Sequence, residues 1–179
     1  MRWRAYRLDP TVPREGADRK AYLQAKFGDS PRVKAMGEAI REAGAGEGIA
    51  FAYDRIARAP NTLDSHRLVR WAATAGAQDD VVERLFSAYF EQGRDIGDVS
   101  VLADIATDAG MDGELVGELL AGDADRELIE REDALAHQMG INGVPTFIFA
   151  NKYAVSGAHD PEQLLQIIDR VSEETAGAA

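Results

Sequence analysis

The chain has 179 residues, of which 45% are hydrophobic and 28% charged, a globular composition with enough apolar side chain for a packed core. Its formal net charge of −11 disfavours nucleic acid and anionic membranes as partners, since both are polyanions. There is no cysteine, and His66, His137 and His159 lie far apart, so these residues offer no disulfide, no thiolate and no zinc-ligand spacing.

The length predicts one domain with room for an insertion. No apolar run is long enough to span a bilayer, and the start of the chain lacks a signal-type apolar segment. The expected location is therefore cytoplasmic. In chain order, Arg2–Leu8 alternates with aromatic content and reads as a strand, broken by Pro10 and Pro13. Arg19–Phe27 reads as a short helix stopped by Gly28. Ser30 and Pro31 form a cap and first-turn signal for a helix running to about Ala43. Ile49–Ile56 fits either helix or strand.

Four further helical stripes follow. Thr62–Ala75 turns Leu63, Leu68, Val69, Trp71 and Ala72 inward and stops at Gly76. Asp79–Gln92 carries Val81, Val82, Leu85, Phe86, Tyr89 and Phe90 at i, i+3, i+4 spacing. Asp98–Ala109 opens on an aspartate cap and closes at Gly110, and Asp112–Ala121 follows. Ala124–Met139 completes the block, with Glu127–Asp133 as a solvated acidic face. Met36, Met111 and Met139 read as core filling. Such short amphipathic helices must pack on one another.

The texture changes at Gly140. Val144–Ala150 is an apolar run with β-branched and aromatic bias, Asn151-Lys152 is a turn, and Tyr153–Ser156 is a second short strand, which together predict an antiparallel hairpin. Asp160 and Pro161 then start a last helix with Leu164, Leu165, Ile167, Ile168 and Val171 on its buried face, fraying from Glu173 to Ala179.

The sharpest motif is Gly140-Ile141-Asn142-Gly143-Val144-Pro145-Thr146-Phe147. A proline opening an apolar strand cannot donate to a ladder and belongs at an edge, a strand start or a cis turn. Followed by hairpin and helix, this run resembles the second half of the thioredoxin superfamily. Trp3-Arg4, Arg7-Leu8-Asp9-Pro10, Arg19–Leu23, Lys26-Phe27-Gly28, Asn61–Leu68 and Tyr153–Ala158 resemble the DsbA-like family in its FrnE-type branch, over about residues 2–172.

The resemblance implies an α/β thioredoxin-like fold with a large all-helical insertion: residues 1–16 and 140–179 as half-domains, 17–139 as the insertion. It implies thiol–disulfide oxidoreduction through a Cys-x-x-Cys helix, with a cis Pro145 and the Val144 backbone docking extended peptide. The chain departs from that pattern, because the N-terminal βα unit with its cysteines is not among these residues. The expectation is a redox-inactive chain, and a natural product longer than these 179 residues or, alternatively, a degenerate paralogue. No catalytic or metal-ligating residue is assigned.

The substrate-binding candidates are Val144, Pro145 and Thr146; the secondary ones are Asn61, His66, Ala158 and Asp160. The secondary set comes from similarity to glutathione-using isomerases and transferases of the hydroxychromene-carboxylate and kappa types. An asparagine stands near the site in those enzymes, and a Gly-x-Asp-Arg signature follows the hairpin. Here the corresponding run is Gly157-Ala158-His159-Asp160, without the arginine, and Asn61 or Thr62 also serves as a helix cap. No cofactor is expected, with glutathione the one alternative. The expected partner is an extended peptide or protein, or a second copy paired through exposed strand edges.

Overall fold

The computed structural model describes residues 1–176. Its elements in order are β1 (Ala17–Asp18), α1 (Arg19–Phe27), α2 (Pro31–Gly46), a 3-10 turn at Tyr53–Arg55, β2 (Arg58–Ala59), α3 (Leu63–Ala75), α4 (Gln78–Phe86), a π turn at Ser87–Glu91, α5 (Val99–Asp108), α6 (Gly113–Ala121), α7 (Arg126–Gln138), β3 (Thr146–Phe149), β4 (Tyr153–Ser156) and α8 (Pro161–Ala176). The chain divides into two compact units, Met1–Glu132 and Asp133–Ala179.

Local capping chemistry sets most helix starts. Carboxylates or hydroxyls of Asp18, Ser30, Asp98 and Asp112 accept from backbone N–H groups of Ala21, Val33, Ser100 and Leu115. Gly76 ends α3 in the left-handed region, where a side chain would be strained. In the first unit, α3, α4, α5 and α6 bury Leu68, Ala72, Val81, Leu85, Leu102, Ile105, Val116 and Leu120 against one another. Each fully buried Leu or Ile contributes about 1.5–3 kcal/mol of transfer free energy. A smaller cluster joins Ala5, Leu63 and Ile129.

Arg2–Leu8 is not a strand: the sheets among the described residues are β1–β2 and β3–β4. A side chain takes the place of a ladder neighbour. The Trp3 N–H donates to Gln78 Oε1 (3.0 Å), and Gln78 Nε2 donates to the Trp3 carbonyl (3.3 Å). Ala5 is the one buried residue of the segment; Trp3, two residues before it on the same face of the expected strand, is exposed.

Other expectations shift by smaller amounts. Helix α2 runs past Ala43 to Gly46. After α4 a π turn at Ser87–Glu91 buries Ala88 and Tyr89, three and four residues beyond buried Leu85, while Phe86 of the predicted stripe is exposed. Met36 and Met139 are exposed rather than core filling, while Met111 packs on the main cluster. The acidic face of α7 is not uniformly solvated. Glu132 accepts from Arg70 (3.0 Å) and Arg4 (3.4 Å), and Asp133 is buried.

In the second unit, β3 and β4 form an antiparallel hairpin with Thr146 opposite Ser156 and Phe149 opposite Tyr153. Its turn lies one residue earlier than expected. Ala150 and Asn151 take positive φ, and the Lys152 N–H closes onto the Phe149 carbonyl (3.0 Å). Helix α8 starts at Pro161, where the Asp160 carbonyl accepts from Gln163 and Leu164. Only Leu164, Ile167 and Val171 of its predicted buried face are half-covered; Leu165 and Ile168 are exposed. The reason is thin layering: one helix on a two-stranded sheet leaves its flanks open.

Candidate functional site

The segment around Pro145 is built by three local devices. The Val144–Pro145 peptide bond is cis. Thr146 Oγ1 donates to the Gly143 carbonyl (2.8 Å), tying the strand start back onto the loop before it. The Gly157 N–H donates to the Pro145 carbonyl (2.8 Å), extending the hairpin ladder by one rung. That rung fixes the phase of the strand. Pro145, Phe147 and Phe149 turn their backbone groups toward β4, so Thr146 and Ile148 turn theirs to the open edge.

That edge has a definite chemistry. The N–H and C=O of Val144 have no hydrogen-bond partner among the described residues, and β3 pairs with β4 alone. The Val144 side chain is 49% exposed and that of Ile148 48%. Phe147 and Phe149 lie on the other face, their rings stacked at 6.4 Å. The Tyr153 hydroxyl, on that same face, donates to the Glu174 carboxylate of α8. This bond leads in holding Glu174 below the usual carboxylate range, and Tyr153 likewise raises the Lys152 ammonium. The helix thus covers one face of the hairpin, and the face carrying Ile148, Ala154 and Ser156 stays exposed.

The remaining candidates fall elsewhere. Ala158 and Asp160 are exposed beside the hairpin, in the second unit with Val144, Pro145 and Thr146. His159, between them, contacts the Ser156 carbonyl through Nε2 (3.1 Å). Asn61 and His66 belong to the first unit. The Asn61 amide bridges two backbone groups: Nδ2 donates to the Val12 carbonyl (2.7 Å), and Oδ1 accepts from the Leu63 N–H (3.0 Å) at the start of α3. His66 lines a cavity of about 20 Å³ with Arg2, Trp3, Arg70, Gln78 and Glu132, a space of water size rather than substrate size. No cluster of His, Asp and Glu suited to a metal ion occurs among the described residues.

The residue that sequence reasoning passed over is Arg67. It lies in the same Asn61–Leu68 run and is fully buried. Its Nε donates to the Ala124 carbonyl (2.7 Å) and its Nη atoms to those of Leu119 (2.6 Å), Leu120 (3.2 Å) and Gly122 (3.0 Å). Asp64 Oδ1 receives a fifth bond (2.8 Å). The guanidinium therefore caps the C-terminal end of α6, where carbonyls lack helical partners and the dipole favours a cation. Ser65 Oγ adds a bond to the Ile96 carbonyl (2.6 Å). These side chains act within the fold of the first unit.

A family model for the DSBA-like thioredoxin domain matches residues 1–169. The chain belongs to that family. Among solved structures, the chain is similar to a probable DsbA oxidoreductase from Streptomyces coelicolor, with 28% identity and a TM-score of 0.84 over 96% of this chain and 74% of that one. None of the curated proteins matches. This DSBA-like chain is a mixed α/β protein, with small sheets and a helical block between its first residues and the Pro145 hairpin. No helix among its described residues is long and apolar enough to cross a membrane.

Proposed function

We propose that this member of the thiol oxidoreductase family docks extended polypeptide along β3, and that its 179 residues carry out no thiol exchange themselves. The open edge at Val144 carries the reading: a free N–H and C=O beside a strand with one neighbour, the geometry that β-augmentation requires. Thiol exchange requires a thiolate, and the sequence has none to offer. Within the family we assign the chain to the FrnE-type branch, on the Trp3-Arg4, Asn61–Leu68 and Tyr153–Ala158 runs. Residues 1–16 and 140–179 are then the thioredoxin halves and 17–139 the insertion. Free of peptide, the same edge is available to a second copy of the chain.

Two measurements test this. Insulin reduction in the presence of dithiothreitol should run at the uncatalysed rate; turnover by this chain refutes the redox half. A fluorescent, cysteine-free extended peptide should bind, and Val144→Pro, which removes the N–H donor, should abolish binding. Equal binding by that variant refutes the docking half.

A further inference from the structure

Charge is distributed very unevenly around the β3 edge. Between Asp133 and Asp160 the only Asp, Glu, Lys or Arg is Lys152, in a chain that is 28% charged. Lys152 sits at the hairpin turn, its ammonium 4.8 Å from the centre of the Tyr153 ring. The whole docking segment, from Gly140 to Asn151, is therefore neutral, with Val144 and Ile148 exposed on it. The rest of the unit is acidic. Asp160, Glu162, Asp169, Glu173 and Glu174 are all exposed, against Arg170 as the one further cation among its described residues.

A strand added to the β3 edge sets its own alternate side chains beside Val144 and Ile148. A carboxylate placed there would lose water and find, within this hairpin, no cation but Lys152 at the turn, which is unfavourable. A small or apolar side chain loses nothing of the kind. Beyond the four residues of β3, one end of the added strand runs toward Asp160 and Glu162, which follow Gly157 at the Pro145 end, and the other toward Glu173 and Glu174, the latter bonded to Tyr153 at the turn end, where Lys152 offsets one of the two. The field of these carboxylates attracts cations and repels anions over roughly a Debye length, about 8–10 Å at physiological salt.

We infer that the polypeptide taken at β3 is an extended segment with small or apolar neutral residues at its centre and Lys or Arg at both flanks. The inference rests on the docking reading above and names its substrate class. Segments flanked by Asp or Glu are rejected, although their backbone offers the same ladder bonds.

Three labelled, cysteine-free peptides with one apolar core and Lys, Gln or Glu flanks test it by fluorescence anisotropy. A fourth, Lys-flanked but with prolines at alternate core positions, controls for strand addition. At low salt the Lys-flanked peptide should bind at least about tenfold more tightly than the Glu-flanked one, and the ratio should collapse near 1 M salt, where screening acts within about 3 Å. The double variant Asp169→Lys, Glu173→Lys, with both changes on exposed positions, should shrink that ratio. If Lys- and Glu-flanked peptides bind equally while the proline peptide does not, the charge selection is wrong and the docking reading stands. If no peptide binds, or the proline peptide binds as well as its parent, both fall. A ratio unchanged in the double variant also overturns the inference.

Discussion

Two side chains in the first unit hold unusual numbers of partners, and each yields a prediction of opposite kind. Arg67 is buried and satisfied by four carbonyls and Asp64. Replacing it by Met leaves those carbonyls and the Asp64 carboxylate in a dry site, with only Arg126 nearby at 3.5 Å. Breaking a buried pair in this way costs about 3–5 kcal/mol, and Arg67→Met should lower the unfolding free energy by that amount in urea. Lysine cannot rescue it, because a point charge with three donors does not reproduce a planar fork. A loss below about 1 kcal/mol would show that the carbonyls are rehydrated and that Arg67 is no keystone. Asp9 is a partly exposed carboxylate. It accepts from the Thr11 hydroxyl (2.5 Å), Tyr22 (2.9 Å) and Lys26 (3.2 Å), and Thr11 leads in holding its pKa well below the ordinary range. A depressed carboxylate gives stability that is fully present above the unfolded value of about 3.9 and is lost as pH falls toward the folded one. The stability gap between wild type and Asp9→Asn, measured at pH 7 and again at pH 3, should therefore narrow on acidification. A gap of constant size would mean that the Thr11 and Tyr22 bonds do not depend on the charge.

At the scale of elements, α2 separates what a helix wants from what its neighbours allow. Gly37 and Gly44 both lie in its interior, where alanine is intrinsically better by about 0.8–1 kcal/mol. A Cβ at Gly37 would meet nothing within 4 Å, so Gly37→Ala should stabilise by about that much. At Gly44 the Cβ would come within 2.4 Å of the Phe51 ring, which stacks on Tyr53 at 4.9 Å and meets Phe90 edge-on. Gly44→Ala should therefore destabilise, and thermal melts of the two variants should move in opposite directions. The same contrast explains what could be read in the chain beforehand. Helix starts at Ser30 and Asp98 were legible because a cap and the N–H it serves lie within three residues of each other, and the start at Pro161 because proline fits a first turn. The hairpin after Pro145 was likewise legible from local signals, and with it the candidate docking segment. The burial of Arg67 depends on carbonyls more than fifty residues away. The exposure of Phe86 depends on which edge of a broad apolar stripe the neighbouring helices cover. Arg2–Leu8 shows the limit most plainly: the residues alternate, but a strand needs a ladder partner, and the backbone of Trp3 bonds to the amide of Gln78 instead.

For the molecule as a whole, the two units differ in how they are held together. Met1–Glu132 contains the main apolar cluster, with Leu68, Val81, Leu102, Ile105 and Leu120 almost wholly out of water. In Asp133–Ala179, Asp133 is the one buried residue among those described, and it is polar. A two-stranded hairpin is marginal in water, and a piece this small normally relies on disulfides or metals, for which the sequence supplies no cysteine. Local stability should therefore be graded along the chain. Native-state hydrogen exchange should find amides of α3 and α5 opening only with global unfolding, and amides of β3 and β4 exchanging about a hundredfold faster or more through local opening. The free edge of β3 sharpens this expectation, since outward N–H groups such as that of Ile148 have no ladder bond to break. Peptide docked on that edge should slow exchange in β3 and in α5 alike, because local opening of the hairpin and global unfolding both release it. Protection in β3 equal to that in α5 without any peptide would show that the hairpin unfolds only with the helical core, and that its edge is covered in solution by something more permanent than a transient substrate.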